Sequence, residues 1–99
     1  MITFVRTASI APGKVVDAVR FAHTVAELLK SKFGAQMGVS MPIGGNPNRI
    51  AWVSTFASLA ELEEGFQKFA SDPEYLNLVA SGAANFLPGS VHDEIWRSI

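Results

Sequence analysis

Twice along this chain an alternating apolar pattern stops at a turn or cap signal and a helical pattern begins at once. Arg6-Thr7-Ala8-Ser9-Ile10 closes the first alternating run, Ala11-Pro12-Gly13 breaks it, and an apolar stripe at helical spacing follows from Lys14. In the second case Thr55-Phe56-Ala57 passes through Ser58 into Leu59-Ala60-Glu61, with Ser58 and Glu61 at the positions of a capping box. Two strand-helix halves in one short chain restrict the fold more than any single motif does. Each helix must carry the chain back to the sheet its own strand belongs to.

The remaining patterns complete that plan. From Ile2 to Ile10 the residues Ile2, Phe4, Ala8 and Ile10 alternate with Thr3, Val5, Thr7 and Ser9, which predicts a first strand. From Lys14 to Phe33, Val15, Ala18, Val19, Ala22, Val25, Ala26, Leu29 and Phe33 fall within a band of about 120° on a helical wheel and predict an amphipathic helix that Gly34 ends. Alternation over residues 36–43 predicts a second strand, with Gly38 and Pro42 suited to a sheet edge, and residues 49–57 predict a third. The turn Gly44-Gly45-Asn46-Pro47-Asn48 joins these two as a hairpin. A second helix follows over residues 59–70 with Leu62, Phe66 and Phe69 inward. Asp72-Pro73-Glu74 restarts a helix that ends before Pro88-Gly89, and residues 90–99 predict the last strand. The order β-α-β-β-α-β is that of an α+β, ferredoxin-like fold: a four-stranded antiparallel sheet with helices on one face.

All 99 residues form a single domain, residues 1–99. Hydrophobic residues make up 48% of the chain and charged residues 17%, below the usual quarter or so. The helices can cover one sheet face only, yet the first and third strands carry apolar residues on both. The open face therefore calls for a second copy, two sheets meeting as a dimeric α+β barrel. Net charge is −1 without a cluster of Lys or Arg, so neither nucleic acid nor a membrane surface is an expected partner. Cysteine is absent, which excludes disulfides and thiolate chemistry. Met1-Ile2-Thr3-Phe4-Val5-Arg6 lacks the form of a secretory signal, and the expected location is cytoplasmic.

Three segments resemble a known family. Arg6-Thr7 followed by Pro12-Gly13-Lys14, the join Phe56-Ala57-Ser58-Leu59-Ala60-Glu61, and Ser71-Asp72-Pro73-Glu74-Tyr75 are similar to NIPSNAP-type sequences of the dimeric α+β-barrel superfamily. Tyr75 stands where that pattern has Trp, and Ala8 where an aromatic is frequent. The resemblance implies a ferredoxin-like protomer and a homodimer. It does not fix a reaction, since the superfamily also holds cofactor-independent monooxygenases, haem-degrading enzymes and isomerases.

Four residues are candidate site residues. Arg6 shares a strand face with Phe4 and Ala8 and could lie beside Trp52, where a cation next to an indole can hold an anionic or aromatic ligand. The competing reading makes Arg6 a structural residue that stacks on an interface Trp or pairs with an acid. His23, at the edge of the helical stripe, and His92, near the start of the last strand, are candidate proton acceptors; as plain border residues they would have no such role. With two His and no Cys at ligand spacing no metal site is expected, and no cofactor. Gly44-Gly45-Asn46 is a turn, since a phosphate loop would open a helix and continue into Lys. The favoured reading is a NIPSNAP-like protein that binds a small apolar or aromatic molecule in a barrel formed on dimerisation. The alternatives are a cofactor-independent monooxygenase or isomerase acting on an aromatic or polyketide-like substrate, and a purely structural or protein-interaction module.

Overall fold

The N-terminal alternating run forms the strand on which the rest of the sheet is built. A computed structural model describes residues 1–99, Met1 to Ile99. β1 (Ile2–Ser9) is followed by α1 (Val15–Phe33), β2 (Met37–Ser40), β3 (Arg49–Phe56), α2 (Leu59–Ala70), α3 (Pro73–Gly82), a 3-10 turn (Ala83–Asn85) and β4 (His92–Arg97). The strands lie in the order β2-β3-β1-β4, all neighbours antiparallel. This is the ferredoxin-like arrangement the pattern predicts. No helix is long and apolar enough to cross a membrane.

Local chemistry sets each junction. At Ala11-Pro12-Gly13-Lys14 the N–H of Lys14 donates to the Ala11 carbonyl at 3.1 Å, with Gly13 at φ 77°. Proline second and a left-handed glycine third make a type II turn. Gly34, at φ 70°, ends α1 after Lys30 and Lys32, and the N–H groups of Gly34 and Ala35 close on the Lys30 and Leu29 carbonyls. At the start of α2 the Ser58 hydroxyl accepts from the Glu61 N–H at 3.2 Å, while the Glu61 carboxylate reaches back to the Ala57 N–H at 3.1 Å. Asp72 caps α3 by accepting from the Tyr75 N–H at 2.9 Å. Its other oxygen meets Lys32 at 2.7 Å, which ties the start of α3 to the last turn of α1.

All four strands are shorter than the alternation predicts, β1 and β3 by one residue each and β2 and β4 by more. β2 stops at Ser40, before Pro42, which has no N–H to give a ladder. β4 begins at His92 because Ser90 is spent on the preceding loop: its hydroxyl accepts from the Ser9 N–H at 3.1 Å and donates to the Leu87 carbonyl at 2.7 Å. The third helical segment likewise ends earlier, passing at Gly82 into the 3-10 turn.

The buried residues form three clusters. Ala18 and Ala22 bring α1 close to the sheet, where they meet Ala8, Ile10, Ile50 and Trp52. Ile2, Phe4 and Leu62 join α2 to the other end of β1, and Val25, Leu29 and Phe69 join α1 to α2. α3 packs chiefly on α1 and α2. The opposite sheet face is bare. It presents Thr3, Val5, Thr7, Ala51 and Val53, with Trp96 beside Thr3 on β4, whose six residues are all exposed.

The type II turn supplies a stability prediction. A Cβ on Gly13 would meet nothing within 4 Å, so a substitution there is penalised by backbone conformation alone. Gly13→Val is expected to lose about 1–2 kcal/mol, the cost of a left-handed residue with a side chain, whereas Lys14→Ala stays within about 0.5 kcal/mol of wild type. Thermal melts compare the two directly, and equal midpoints would contradict the turn assignment.

Candidate ligand-binding site

Phe21, Met37 and Phe66 bridge the three core clusters, and open space remains between the sheet and the helices. A cavity of about 660 Å³ lies between the helix-side face of the sheet and the helices, lined by 21 residues of which 17 are hydrophobic. Each cluster gives it a wall: Phe4, Ala8 with Trp52, and Val25 with Leu29 and Phe69. Leu76 and Val79 of α3 and Leu87 and Val91 of the segment before β4 also line it, and all four are exposed, so they form its rim.

Trp52 and Arg6 are cross-strand partners on β3 and β1, and both line the cavity. The indole N–H of Trp52 donates to the Ala22 carbonyl at 3.4 Å, which directs it to the backbone of α1. Phe86 lies 5.8 Å from the Trp52 ring and 5.8 Å from that of Phe21, so three aromatic rings build one wall. Gly82 makes room for this. A Cβ there would collide with the Phe21 ring.

Arg6 is not a free cation. Its Nε donates to Asp93 Oδ1 at 2.7 Å and its Nη2 to Asp93 Oδ2 at 2.8 Å, a two-pronged pair across the β1–β4 register. The acid-pairing alternative for Arg6 is thus the arrangement found, and the open anion holder is not. The guanidinium carbon also lies 5.6 Å from the centroid of the Phe4 ring. The hydrogen bonds from Arg6 hold the Asp93 carboxyl below its ordinary range, against partial burial and with help from the charges of Arg6 and His92. Arg6 is raised in turn, first by its hydrogen bond to Asp93, against burial, then by the charge of Asp93 and by Tyr75, whose hydroxyl end approaches it from α3.

Neither histidine lines the cavity. His23 is exposed on α1, because the helix turns Ala22 and Val25 inward and leaves residue 23 at its outer flank. His92 is on the bare sheet face, one residue out of step with Asp93, and its Nε2 lies 3.2 Å from the Glu94 carboxylate, which also accepts from the Trp96 N–H at 3.0 Å. No group of three His, Asp or Glu side chains is gathered anywhere that could hold a metal ion. Sequence reasoning missed Asp93 and Tyr75. Strand parity alone could have set Asp93 on the face of β4 opposite to His92, but the β1–β4 register was needed to bring it to Arg6.

Comparison with solved structures places this geometry in a known setting. A NIPSNAP family protein of unknown function from Agrobacterium tumefaciens superposes with a TM-score of 0.80 at 21% identity, over 97% of this chain and 86% of that one. An uncharacterised NIPSNAP domain protein from Burkholderia xenovorans gives a TM-score of 0.84 at 14% identity, over 100% and 95% of the two chains. The chain has a NIPSNAP-like fold. A putative antibiotic biosynthesis monooxygenase from Nitrosomonas europaea shares it as well, with a TM-score of 0.73 at 12% identity over 100% and 99% of the chains. No family profile and no curated protein matches the sequence. At these identities the NIPSNAP-like likeness is one of fold, and the cavity-lining residues carry any chemistry.

The ion pair predicts a pH dependence. A carboxyl whose folded pKa is depressed adds stability above its unfolded value of about 3.9, and that contribution is lost as pH falls through the folded value. Asp93→Asn should therefore melt below wild type near neutral pH, with the gap closing under about pH 4. Thermal melts across that range check it. A gap independent of pH would remove the ion pair from the account of stability.

Proposed function

We propose that this protein binds a small, mostly apolar molecule in the cavity beneath α3, and that it works as a homodimer. The observation that carries the binding reading is the cavity itself. At about 660 Å³ it lies within the range of small-molecule sites, and its wall is largely hydrophobic with Arg6 and Tyr75 as polar fixtures. The open cavity within one chain supports binding over the reading as a purely structural or protein-interaction module. The bare sheet face supports the dimer: Val5, Val53 and Trp96 share it, and a second sheet laid on it would form a barrel of eight strands. The cysteine-free sequence fits a cytoplasmic location.

A second reading, a cofactor-independent monooxygenase or isomerase with an aromatic substrate, draws on the likeness to the Nitrosomonas protein. Neither His23 nor His92 is placed to take a proton in the cavity, and Tyr75 is the titratable group other than Arg6 in its wall. Binding is the reading preferred here.

A neutral apolar dye such as Nile red should bind saturably, one per chain, and Ala83→Trp, which fills part of the cavity wall, should weaken it by about tenfold or more, or about 1.4 kcal/mol. Fluorescence titration measures both. Absence of saturable binding to the wild type would overturn the reading.

Light scattering should give a mass twice the 10.6 kDa of the chain. A monomer at micromolar concentration would remove the barrel, while leaving the cavity within one chain intact.

A further inference from the structure

We infer that the cavity selects an electrically neutral ligand bearing a hydrogen-bond acceptor, and discriminates against carboxylates. This rests on the reading of the cavity as a binding site. Arg6 is the one lining residue with a formal charge, and taken alone it would mark the cavity as a carboxylate receptor. Asp93 changes that. It faces Arg6 across the β1–β4 register and engages two of the guanidinium's five N–H donors, at 2.7 and 2.8 Å. The pair is neutral as a unit, and three of the guanidinium's five N–H donors lie outside it. The Tyr75 hydroxyl, near Arg6 and also in the cavity wall, adds a group that can donate or accept.

The energetics separate ligand classes by charge. A carbonyl, amide or ether oxygen can accept from the spare guanidinium donors, a charge-assisted hydrogen bond, without adding charge to an apolar enclosure. A carboxylate at the same place would share Arg6 with Asp93. Two anions would then face one cation beside a wall in which 17 of 21 residues are hydrophobic. The extra negative charge gives up part of its water without a full counter-charge, beside a pair whose side chains each stay 38% exposed, and that cost grows with how far the ligand is buried. Asp93 is thus a specificity-determining residue that acts through Arg6. It is not itself part of the cavity lining.

The test uses 1-pyrenebutyramide and 1-pyrenebutyric acid, which match in shape and differ in charge at about pH 7.5, with binding read from pyrene fluorescence anisotropy. Wild type should bind the amide at least about tenfold more tightly than the acid, a difference of about 1.4 kcal/mol. Asp93→Asn uncovers the charge of Arg6 and should reverse the order. The wild-type ratio stands even where that variant does not fold. Should the acid bind wild type as tightly as the amide, or more tightly, while Nile red still binds, the charge preference is wrong and the binding reading survives. Failure of Nile red and both pyrenes to bind wild type would overturn both.

Discussion

The antiparallel pairing of β1 on both its edges is the constraint on which the rest of the molecule depends. β1 is flanked by β3 and β4, so its alternation fixes what each neighbour presents to the helices. Ile2, Phe4 and Ala8 face the helices and are buried, and each belongs to a core cluster. Arg6 occupies the same face between Phe4 and Ala8. A charge at that position needs a partner, because long charged side chains enter apolar surroundings only when paired. The register with β4 delivers Asp93, and the same parity sends His92 and Glu94 to the far face. One slip of one residue would exchange them.

The helices then decide how much of that face is filled. α1 lies close to the sheet through Ala18 and Ala22, and α2 closes over Ile2 and Phe4 with Leu62. α3 rests on its fellow helices, held at its start where Asp72 both caps the helix and pairs with Lys32. Space remains beneath it. A cleft of about 660 Å³, open past the exposed Leu76, Val79, Leu87 and Val91, is a large feature for a chain of 99 residues. Aromatic rings give its walls stiffness: Phe21, Phe86 and Trp52 on one side, Phe66 within 4.7 Å of Phe4 on another. Gly82 is part of the same construction, since a larger residue would collide with Phe21.

The fold is shared with proteins that are 12–21% identical to this chain, and one of them is a putative monooxygenase. Such a framework persists because it asks for apolar alternation, small residues under α1 and correct turns, demands that many sequences meet. Ligand choice asks for more. In the proposal made above it turns on the pairing of Arg6 with Asp93 and on the approach of Tyr75 to that pair, three residues on three different elements.

The sequence by itself determined what is decided over a few neighbouring residues. The type II turn at Pro12-Gly13, the Gly34 cap, the Ser58 and Asp72 caps and the alternation of β1 and β3 are all local, and from them the β-α-β-β-α-β order follows. Strand ends were less legible, because Ser90 serves a loop through a bond to Ser9, a residue far away along the chain. Arg6 and Trp52 were legible as neighbours, since parity gives both the same face once β1 and β3 pair. His23 and His92 were singled out by chemical type, and type says nothing about which way a side chain points. Only the tertiary structure decided that Asp93 neutralises Arg6, that Tyr75 approaches the pair, and that α3 leaves a cavity open. Those outcomes depend on contacts between residues as many as 87 positions apart, where register and helix placement, and no local propensity, set what meets what.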